Sequence, residues 1–273
     1  MFSNALKKIK ETCPLVHNIT NYVTVNDCAN VLLSLGASPI MADDELEVEE
    51  ITSMSSALVI NIGTLNSRTV QSMILAGKKA NEMNIPVVLD PVGAGASRLR
   101  TETTFRLLNE IKFSAIRGNI SEIKTIGNLS STTRGVDADN SDSITHEKIS
   151  DTAEFAKKLS IATGAVISIT GAIDIVSDRE KSYIIKNGHP MMSKISGTGC
   201  MLSSITGAFA ASGDNILDSC AAAVCAMGIC GEEAHEKIMK SGSGTSSFKM
   251  HLIDYMGIMD DNVLEGRAKI EIK

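Results

Sequence analysis

The strongest chemical signal in the sequence is a short turn that contains two glycines. It reads Ile195-Ser196-Gly197-Thr198-Gly199-Cys200 and is followed by the helix-like run MLSSITGAFAA. At the start of a helix, backbone N–H groups crowd toward one point, and the positive end of the helix dipole adds to their attraction for anions. Such a turn suits a phosphoryl group in transfer. A GxG pattern by itself more often serves only to permit a tight turn.

Two common nucleotide-binding patterns are missing from the sequence. Neither Gly77-Lys78 nor the stretch Gly242-Ser243-Gly244 fits the pattern GxxxxGK[ST], which excludes a P-loop enzyme. Gly93-Ala94-Gly95 is not followed by a glycine where GxGxxG requires one, which weakens a dehydrogenase interpretation.

The elements that would position this turn alternate between β-branched runs and helical patterns, and this alternation is typical of βαβ units. The predicted strands are Ala57–Ile62, Pro86–Asp90, Ser114–Arg117 and Ala165–Thr170, and the predicted helices are Ser67–Met83 and Thr101–Ile111. Segments 173–177 and 182–186 predict a hairpin at a sheet edge, and the chain from Thr198 onward predicts alanine-rich helices. The pattern predicts an α/β fold with a mostly parallel central sheet and helices on both faces. Ligands bind such sheets beyond the carboxyl ends of the strands, so functional residues should follow the strands.

Two further segments carry weaker predictions. The stretch Asn128–Glu147 is crowded with Ser, Thr, Asp and Asn, which predicts a long surface loop. The acidic stretch Asp43–Glu50 is better interpreted as a solvated helix face than as a binding site.

Composition limits the class of protein. A chain of 273 residues with 43% hydrophobic content can bury a large core, which predicts a single domain spanning residues 1–273. The net charge of -6, without a basic cluster, argues against a nucleic-acid partner. The longest apolar run, Cys220 to Cys230, is shorter than the roughly 20 residues of a membrane span, so we expect no membrane association and a cytoplasmic location.

Cysteine and aromatic usage add two expectations. The six cysteines form no CxxC pair, so neither a zinc site nor a disulfide framework is indicated. Aromatic content is 3% and Trp is absent, which leaves few rings for stacking. A bound nucleotide would therefore sit in an aliphatic slot.

The order of six motifs carries a family resemblance. The strings VHNITNYVTVNDCAN, LGASPIMA, NIGTL, VVLDPVGAGAS, RGNISEI and ISGTGC occur here in the order found in hydroxyethylthiazole kinases of the ribokinase-like superfamily. The resemblance covers nearly the whole chain. It implies a ribokinase-like fold and phosphorylation of a small thiazole alcohol by ATP with Mg²⁺, in thiamine salvage. It also implies a homotrimer with sites between neighbouring subunits.

The resemblance implies metal and nucleotide roles for four residues. Asp90, and Glu122 in the arrangement Asn119-x-x-Glu122, resemble the magnesium-binding carboxylates of the superfamily, and Mg²⁺ prefers oxygen ligands. Arg117 resembles the residue that grips ATP phosphate through its planar guanidinium, and Thr170 resembles a second ATP contact. Without the resemblance, these residues could equally be turn formers, a surface ion pair or a helix cap.

The substrate residues are implied in the same way. Asn21, Met41 and Gly197 match positions that contact the thiazole, and a methionine is a reasonable wall for a sulfur-containing ring. Taken alone, Met41 would be a core residue and Asn21 a turn residue. His17 could orient the substrate loop, or it could be a satisfied buried histidine.

Cys200 departs from most ribokinase-like kinases, which place an aspartate at this position as the base. Thiazole kinases resemble this sequence in carrying cysteine there. A thiol is an unusual base, but phosphoryl transfer depends mainly on positioning and charge neutralisation. We therefore expect the amides of Gly197, Thr198 and Gly199 to contribute most to catalysis, and Cys200 to have a supporting role.

Three other functions stay open from the residues. A related kinase for a sugar or pyrimidine alcohol would keep the same ATP-binding residues. A cysteine hydrolase could use Cys200 with one of the five histidines. A regulatory protein could bind ATP without turnover.

Overall fold

A computed structural model describes residues 2–129 and 149–273 of the chain. The helices are α1 Ala5–Thr12, α2 Val25–Leu35, α3 Val48–Met54, α4 Ser67–Glu82, α5 Arg98–Glu110, α6 Ile120–Leu129, α7 Ile149–Thr163, α8 Thr198–Ser212, α9 Ile216–Ser241, α10 Thr245–Ile258 and α11 Asp261–Arg267. The strands are β1 Leu15–Ile19, β2 Ser38–Ile40, β3 Ala57–Asn61, β4 Val87–Asp90, β5 Ala115–Asn119, β6 Val166–Thr170, β7 Asp174–Ser177, β8 Ser182–Ile185 and β9 Ile270–Ile272. A 3-10 turn, Pro190–Lys194, precedes α8.

The strands of the described residues form one sheet in the order β2-β1-β3-β4-β5-β6-β7-β8-β9. Pairing is parallel from β2 through β6 and antiparallel from β6 to β9. The central strands β3 and β4 are buried along their whole length, as expected for strands covered on both faces. The predicted α/β class and mostly parallel sheet are confirmed.

Each face of the sheet packs on its own hydrophobic core. Along β3, Ala57 and Val59 belong to one core, and Leu58 and Ile60 belong to the other, because successive side chains of a strand point to opposite faces. The first core is built mainly from α1, α2, α8, α9 and α10, and the second from α3, α4, α5, α6 and α7. Helices therefore cover both faces, as the sequence predicts.

The helix boundaries follow from their capping residues. α4 begins at the predicted residue because the Asn66 side chain accepts hydrogen bonds from the N–H groups of Arg68 and Thr69. α5 begins at Arg98, three residues before the prediction, because Ser97 caps it.

The edge of the sheet differs from the prediction. The predicted hairpin is present as β7 and β8, but it does not form the edge, because β9 pairs with β8 in antiparallel fashion. The short strands β1, β2 and β9 were not predicted.

The two weaker predictions, for an acidic helix face and for a long surface loop, have different outcomes. In the acidic stretch, the helix begins only at Val48, which is fully buried, while Leu46 lies in the preceding turn and is 92% exposed. The solvated helix face predicted for Asp43–Glu50 is therefore wrong for its first half. Of the predicted loop Asn128–Glu147, residues 128 and 129 complete α6, and the remainder lies outside the described residues.

Candidate active site

Polar side chains come together at one end of the sheet, where the parallel strands have their carboxyl ends. Asn61 ends β3, Asp90 ends β4, Asn119 ends β5 and Thr170 ends β6, while Asn21 follows β1. The amino end of α8 lies against the same end of the sheet, because Cys200 contacts both Asn21 and Asn61. The position agrees with the rule that ligands bind parallel sheets beyond their carboxyl ends.

The glycine turn has the geometry of an anion-binding helix start. Gly197 adopts a left-handed backbone conformation with φ +96° and stands just before α8. A Cβ at Gly197 would lie 3.0 Å from Thr24 Cγ2, so both the conformation and the space favour glycine. Within the described ranges, no side chain caps α8, and the N–H groups of Thr198, Gly199 and Cys200 make no hydrogen bond. These are free donors of the kind that a helix start offers to an anion.

A cavity of about 500 Å³ opens beside this turn. Thr198 and Gly199 line it together with Arg117 and Thr170. Its apolar wall consists of Ala172, Pro190, Met192, Leu202, Val224 and Met227. The lining residues include no Phe, Tyr or Trp, and His189 supplies the one aromatic ring among them, so the apolar part of the wall is aliphatic.

Arg117 connects the strand ends in this cavity. It lies inside β5 rather than at a strand end as predicted, because β5 continues to Asn119. Its Nη2 donates to Thr170 Oγ1 at 2.7 Å, and its Nη1 lies 3.5 Å from Asp90 Oδ2. Arg117 is buried, and its guanidinium packs on Gly199, where a Cβ would come within 2.8 Å of Nη1. The glycine at position 199 therefore gives the cation its access to the turn.

Asp90 is fully buried and only partly satisfied. Its Oδ2 accepts hydrogen bonds from Asn61 Nδ2 and Ser203 Oγ, both at 2.7 Å, while Oδ1 has no partner in the described chain. Burial raises the pKa of Asp90, and the neighbouring Arg117 cation opposes this shift. An unpaired buried carboxylate oxygen is costly. A bound cation or water would relieve that cost.

Glu122 lies close to Asp90 and is anchored by backbone groups. Its Oε1 accepts from Gly93 N–H and its Oε2 from Asn119 N–H, each at 2.8 Å, while Asn119 Oδ1 accepts from Glu122 N–H at 2.9 Å. A carboxylate has about four lone-pair sites, so Glu122 keeps acceptor capacity for a bound water. The described residues contain no cluster of three or more His, Cys, Asp or Glu that could hold a metal without other ligands. Mg²⁺ commonly takes one or two carboxylates and completes its shell with water and phosphate, so these two residues fit it.

Cys200 is held by two amide groups. Its Sγ accepts from Asn21 Nδ2 at 3.1 Å and from Asn61 Nδ2 at 3.4 Å. Both amides are fixed in orientation, because Thr24 donates to Asn21 Oδ1, and Gly63 N–H donates to Asn61 Oδ1. The sulfur thus faces two N–H donors at the first turn of α8. The structure places Asn21 beside Cys200 and not among the residues that line the second cavity.

A second cavity, of about 250 Å³, lies on the other side of Asn61. Met41 lines it as the sequence predicts, together with Asn18, Thr20, Tyr22, Val25, Leu65 and Met73. Asn61 lines this cavity and also bonds to Asp90 and Cys200, so the small cavity adjoins the residues at the glycine turn. The arrangement leaves room for a small molecule on one side and a nucleotide on the other.

His17 is a satisfied buried histidine that also supports the second cavity. Its Nε2 lies 2.8 Å from the carbonyl of Ala42, the residue after Met41, and its Nδ1 lies 3.0 Å from Thr52 Oγ1. Burial lowers the pKa of His17, so the ring is neutral. A neutral ring donates from Nε2 to Ala42 and accepts at Nδ1 from Thr52.

The contacts of Cys200 argue against a cysteine hydrolase. A nucleophilic cysteine needs an adjacent base, usually a histidine within hydrogen-bond reach. In the part of the chain that the structure describes, no histidine bonds to Cys200, and both ring nitrogens of His17 are occupied elsewhere.

Sequence reasoning missed two residues of the site. Asn61 lies in the NIGTL motif, and its place at the end of a buried strand was the available signal. Ser203 carries no such signal, because its bond to Asp90 joins residues 113 positions apart.

Comparison with known proteins finds one enzyme family over nearly the whole chain. The model of the hydroxyethylthiazole kinase family matches residues 6–261 of the chain. A hydroxyethylthiazole kinase from Clostridium acetobutylicum is 53% identical over 272 residues, which cover 99% of each chain. Another from Clostridium beijerinckii is 53% identical over 268 residues, covering 97% of this chain and 95% of the relative.

Solved structures agree on the fold. The structure of a hydroxyethylthiazole kinase from Pyrococcus horikoshii superposes with a TM-score of 0.87 at 35% identity, covering 99% of this chain and 98% of the other. A ribokinase-like superfamily protein from Enterococcus faecalis has a TM-score of 0.59 at 12% identity, covering 90% and 88%. The second likeness concerns the fold alone.

Proposed function

The chain belongs to the hydroxyethylthiazole kinase family, and from that premise we propose that its two cavities bind ATP and 4-methyl-5-(2-hydroxyethyl)thiazole. The enzyme phosphorylates the hydroxyl group of this thiazole, which is a step of thiamine salvage. The observation that carries the assignment of the site is the set of unpaired N–H groups of Thr198, Gly199 and Cys200 beside the larger cavity.

The nucleotide occupies the aliphatic cavity with its phosphates toward the glycine turn. Arg117 and Thr170 hold the phosphate chain, since a guanidinium offers two parallel hydrogen bonds to phosphate oxygens. The thiazole ring lies against Met41 in the smaller cavity, with its hydroxyethyl group toward Cys200 and Asn61.

The hydroxyethyl oxygen attacks the γ-phosphorus in line with the departing ADP oxygen. A bond forms between the alcohol oxygen and phosphorus, the bond to the ADP oxygen breaks, and the products are the thiazole phosphate and ADP. The amides of residues 198–200 neutralise the oxygens of the moving phosphoryl group, and such preorganised donors are worth several kcal/mol, about 3 kcal/mol each in known cases. Proximity of the two bound substrates supplies much of the remaining acceleration.

Asp90, whose Oδ1 has no partner, and Glu122, whose carboxylate is anchored by backbone N–H groups, would hold Mg²⁺. When bound, the ion supplies positive charge that neutralises the phosphates. The supporting observation is the buried Asp90 oxygen that lacks a partner.

Cys200 receives or positions the proton of the alcohol. The amide groups of Asn21 and Asn61 direct their donors at its sulfur, which lies in the first turn of α8 beside the reacting hydroxyl group. This assistance comes late in a loose transition state, so the amides have more effect on the rate than the sulfur.

A homotrimer with sites between subunits fits the surface beside the smaller cavity. Tyr22 and Val23 are 78% and 61% exposed, and Leu46 is 92% exposed. We propose that these three apolar side chains lie in the contact between subunits. Light scattering coupled to size exclusion would give the mass of three chains for the wild type and a smaller mass for Leu46→Asp.

The chain works as one domain in the cytoplasm. Its sheet is continuous through all the described strands, and its six cysteines are free, as is usual in a reducing compartment. No helix among residues 2–129 and 149–273 is long and apolar enough to cross a membrane.

An ADP-release assay with purified protein, ATP and Mg²⁺ tests the proposed function. The thiazole alcohol should give a much higher kcat/KM than a pyrimidine alcohol or a sugar. Preference for another alcohol would refute the substrate, and ATP binding without ADP release would refute the activity. Ester cleavage without ATP that thiol alkylation blocks would favour a hydrolase.

A further inference from the structure

The larger cavity contains a carboxylate that the proposed chemistry does not use. Asp174, the first residue of β7, lines the cavity beside Arg117, Thr170 and Gly171. Its Oδ1 accepts a hydrogen bond from the Gly171 N–H at 2.8 Å. Its Oδ2 makes no hydrogen bond or ion pair with the residues that the structure describes. One oxygen is therefore fixed by the turn, and the other is available to a ligand.

The carboxylate of Asp174 would be stabilised by a hydrogen-bond donor in addition to the Gly171 N–H. The residue is half-buried, and burial raises the pKa of its carboxyl group to about 7, against the Gly171 hydrogen bond and the Arg117 cation, which both lower it. A partly desolvated carboxylate gains most from hydrogen-bond donors. Phosphate oxygens are acceptors, so the triphosphate cannot supply them.

The position of Asp174 close to Arg117 and Thr170, the proposed phosphate contacts, indicates which part of the nucleotide lies beside its carboxylate. Arg117 bonds to Thr170, and the carboxylate is one hydrogen bond away from Gly171, the next residue along the chain. In a nucleotide, the ribose follows the phosphates directly and the base lies farther out. The ribose carries two hydroxyl donors, whereas the apolar lining residues Leu202, Val224 and Met227 suit the base.

We propose that the Asp174 carboxylate accepts hydrogen bonds from the ribose hydroxyls of the nucleotide and so selects ribonucleotides over deoxyribonucleotides. The inference rests on the proposed binding of ATP in this cavity. Asp174 is thereby a specificity residue for the phosphate donor.

Nucleotide analogues with wild-type and variant enzyme test the proposal. kcat/KM is measured for ATP, 2′-deoxy-ATP and 3′-deoxy-ATP with the wild type, Asp174→Ala and Asp174→Asn. A matched control is Asp178→Asn at the other end of the same hairpin strand, where Asp178 Oδ1 likewise accepts backbone N–H groups, from Glu180 and Lys181. Calorimetry with ADP and 2′-deoxy-ADP measures binding apart from turnover.

The wild type should lose about tenfold or more in kcat/KM when the hydroxyl group is missing, mainly through KM, because a carboxylate is left unpaired. Asp174→Ala should weaken ATP to a similar degree and reduce the preference to near one, Asp174→Asn should keep part of it, and Asp178→Asn should keep all of it.

Equal use of ATP and both deoxy analogues by the wild type would overturn the proposal, even if the Asp174 variants failed to fold. A preference that survives in Asp174→Ala would also overturn it. Absence of ADP release from ATP in the wild type would instead refute the proposed function.

Discussion

Two glycines of helix α8 allow stability and catalysis to be separated with the same substitution. Gly199 faces the Arg117 guanidinium, whereas Gly207 faces the core, where an added Cβ would lie 2.8 Å from Val59 Cγ2 and 3.1 Å from Val16 Cγ1. Gly207 is in the interior of α8, where replacement by alanine gains about 1 kcal/mol of helix propensity, whereas Gly199 is the second residue of α8 and gains less. The main difference between the two variants is what the new methyl group meets.

In Gly199→Ala, the methyl group would lie 2.8 Å from Arg117 Nη1 and 3.1 Å from Nη2. Carbon contacts are normal from about 3.5 Å, so the guanidinium must retreat by roughly 0.7 Å. That movement lengthens its 2.7 Å bond to Thr170 and shifts its donors away from the phosphate site. Loss of one charge-assisted hydrogen bond costs about 1.5–3 kcal/mol, which is about 10- to 150-fold in kcat/KM for ATP.

In Gly207→Ala, the methyl group meets buried valines that cannot retreat without disturbing the core. Overpacking of this kind costs about 1–3 kcal/mol, which offsets or exceeds the helix gain. We expect a melting temperature lower by up to a few degrees and nearly normal kcat/KM.

Steady-state kinetics and thermal melts of both variants measure these effects. Gly199→Ala should lose catalytic efficiency toward ATP out of proportion to any fall in its melting temperature, whereas Gly207→Ala should show the reverse. Unchanged kcat/KM in Gly199→Ala, or a similar loss in Gly207→Ala, would refute the role of Arg117 at this turn.

Three further predictions concern single residues of the site. Cys200→Asp should keep turnover, and Cys200→Ala should slow turnover without abolishing it because the amides remain; complete loss in Cys200→Ala kinetics would contradict this ranking. Asp90→Asn should raise the Mg²⁺ concentration needed for half-maximal rate by about tenfold or more, and an unchanged Mg²⁺ titration would argue against Asp90 as a ligand. The pKa of His17 is lowered from its ordinary value of 6.5 by burial, so the unfolded chain takes up a proton first as pH falls and the native chain loses stability below that value. Denaturant melts between pH 5 and 8 should show a shallower pH dependence for His17→Gln, and a dependence as steep as that of the wild type would contradict it.

Those parts of the fold that depend on local patterns were predictable. The strand Ala57–Asn61 is a continuous apolar run, and α4 begins after a capping asparagine, so both follow from neighbouring residues. The strand Leu15–Ile19 contains buried His17 and Asn18, whose partners Thr52, Ala42 and Ser204 are distant in sequence. Polar residues of this kind hide a buried strand, because their satisfaction depends on tertiary contacts.

The same limit applies to the site. The glycine turn and the strand-end residues Asp90 and Thr170 are local features that the sequence shows directly. The role of Asn61 between Asp90 and Cys200 is visible only after folding, since these residues are separated by 29 and 139 positions. Asp174 is likewise identified by its place in a cavity and not by any motif.

The most direct measurement is a crystal structure of the enzyme with ADP, Mg²⁺, aluminium fluoride and the thiazole alcohol. We expect the fluoride atoms, which stand for the oxygens of the moving phosphoryl group, to lie within hydrogen-bond distance of the N–H groups of Thr198, Gly199 and Cys200. Aluminium fluoride bound away from these amides, with the amides satisfied by water or by other protein groups, would contradict it.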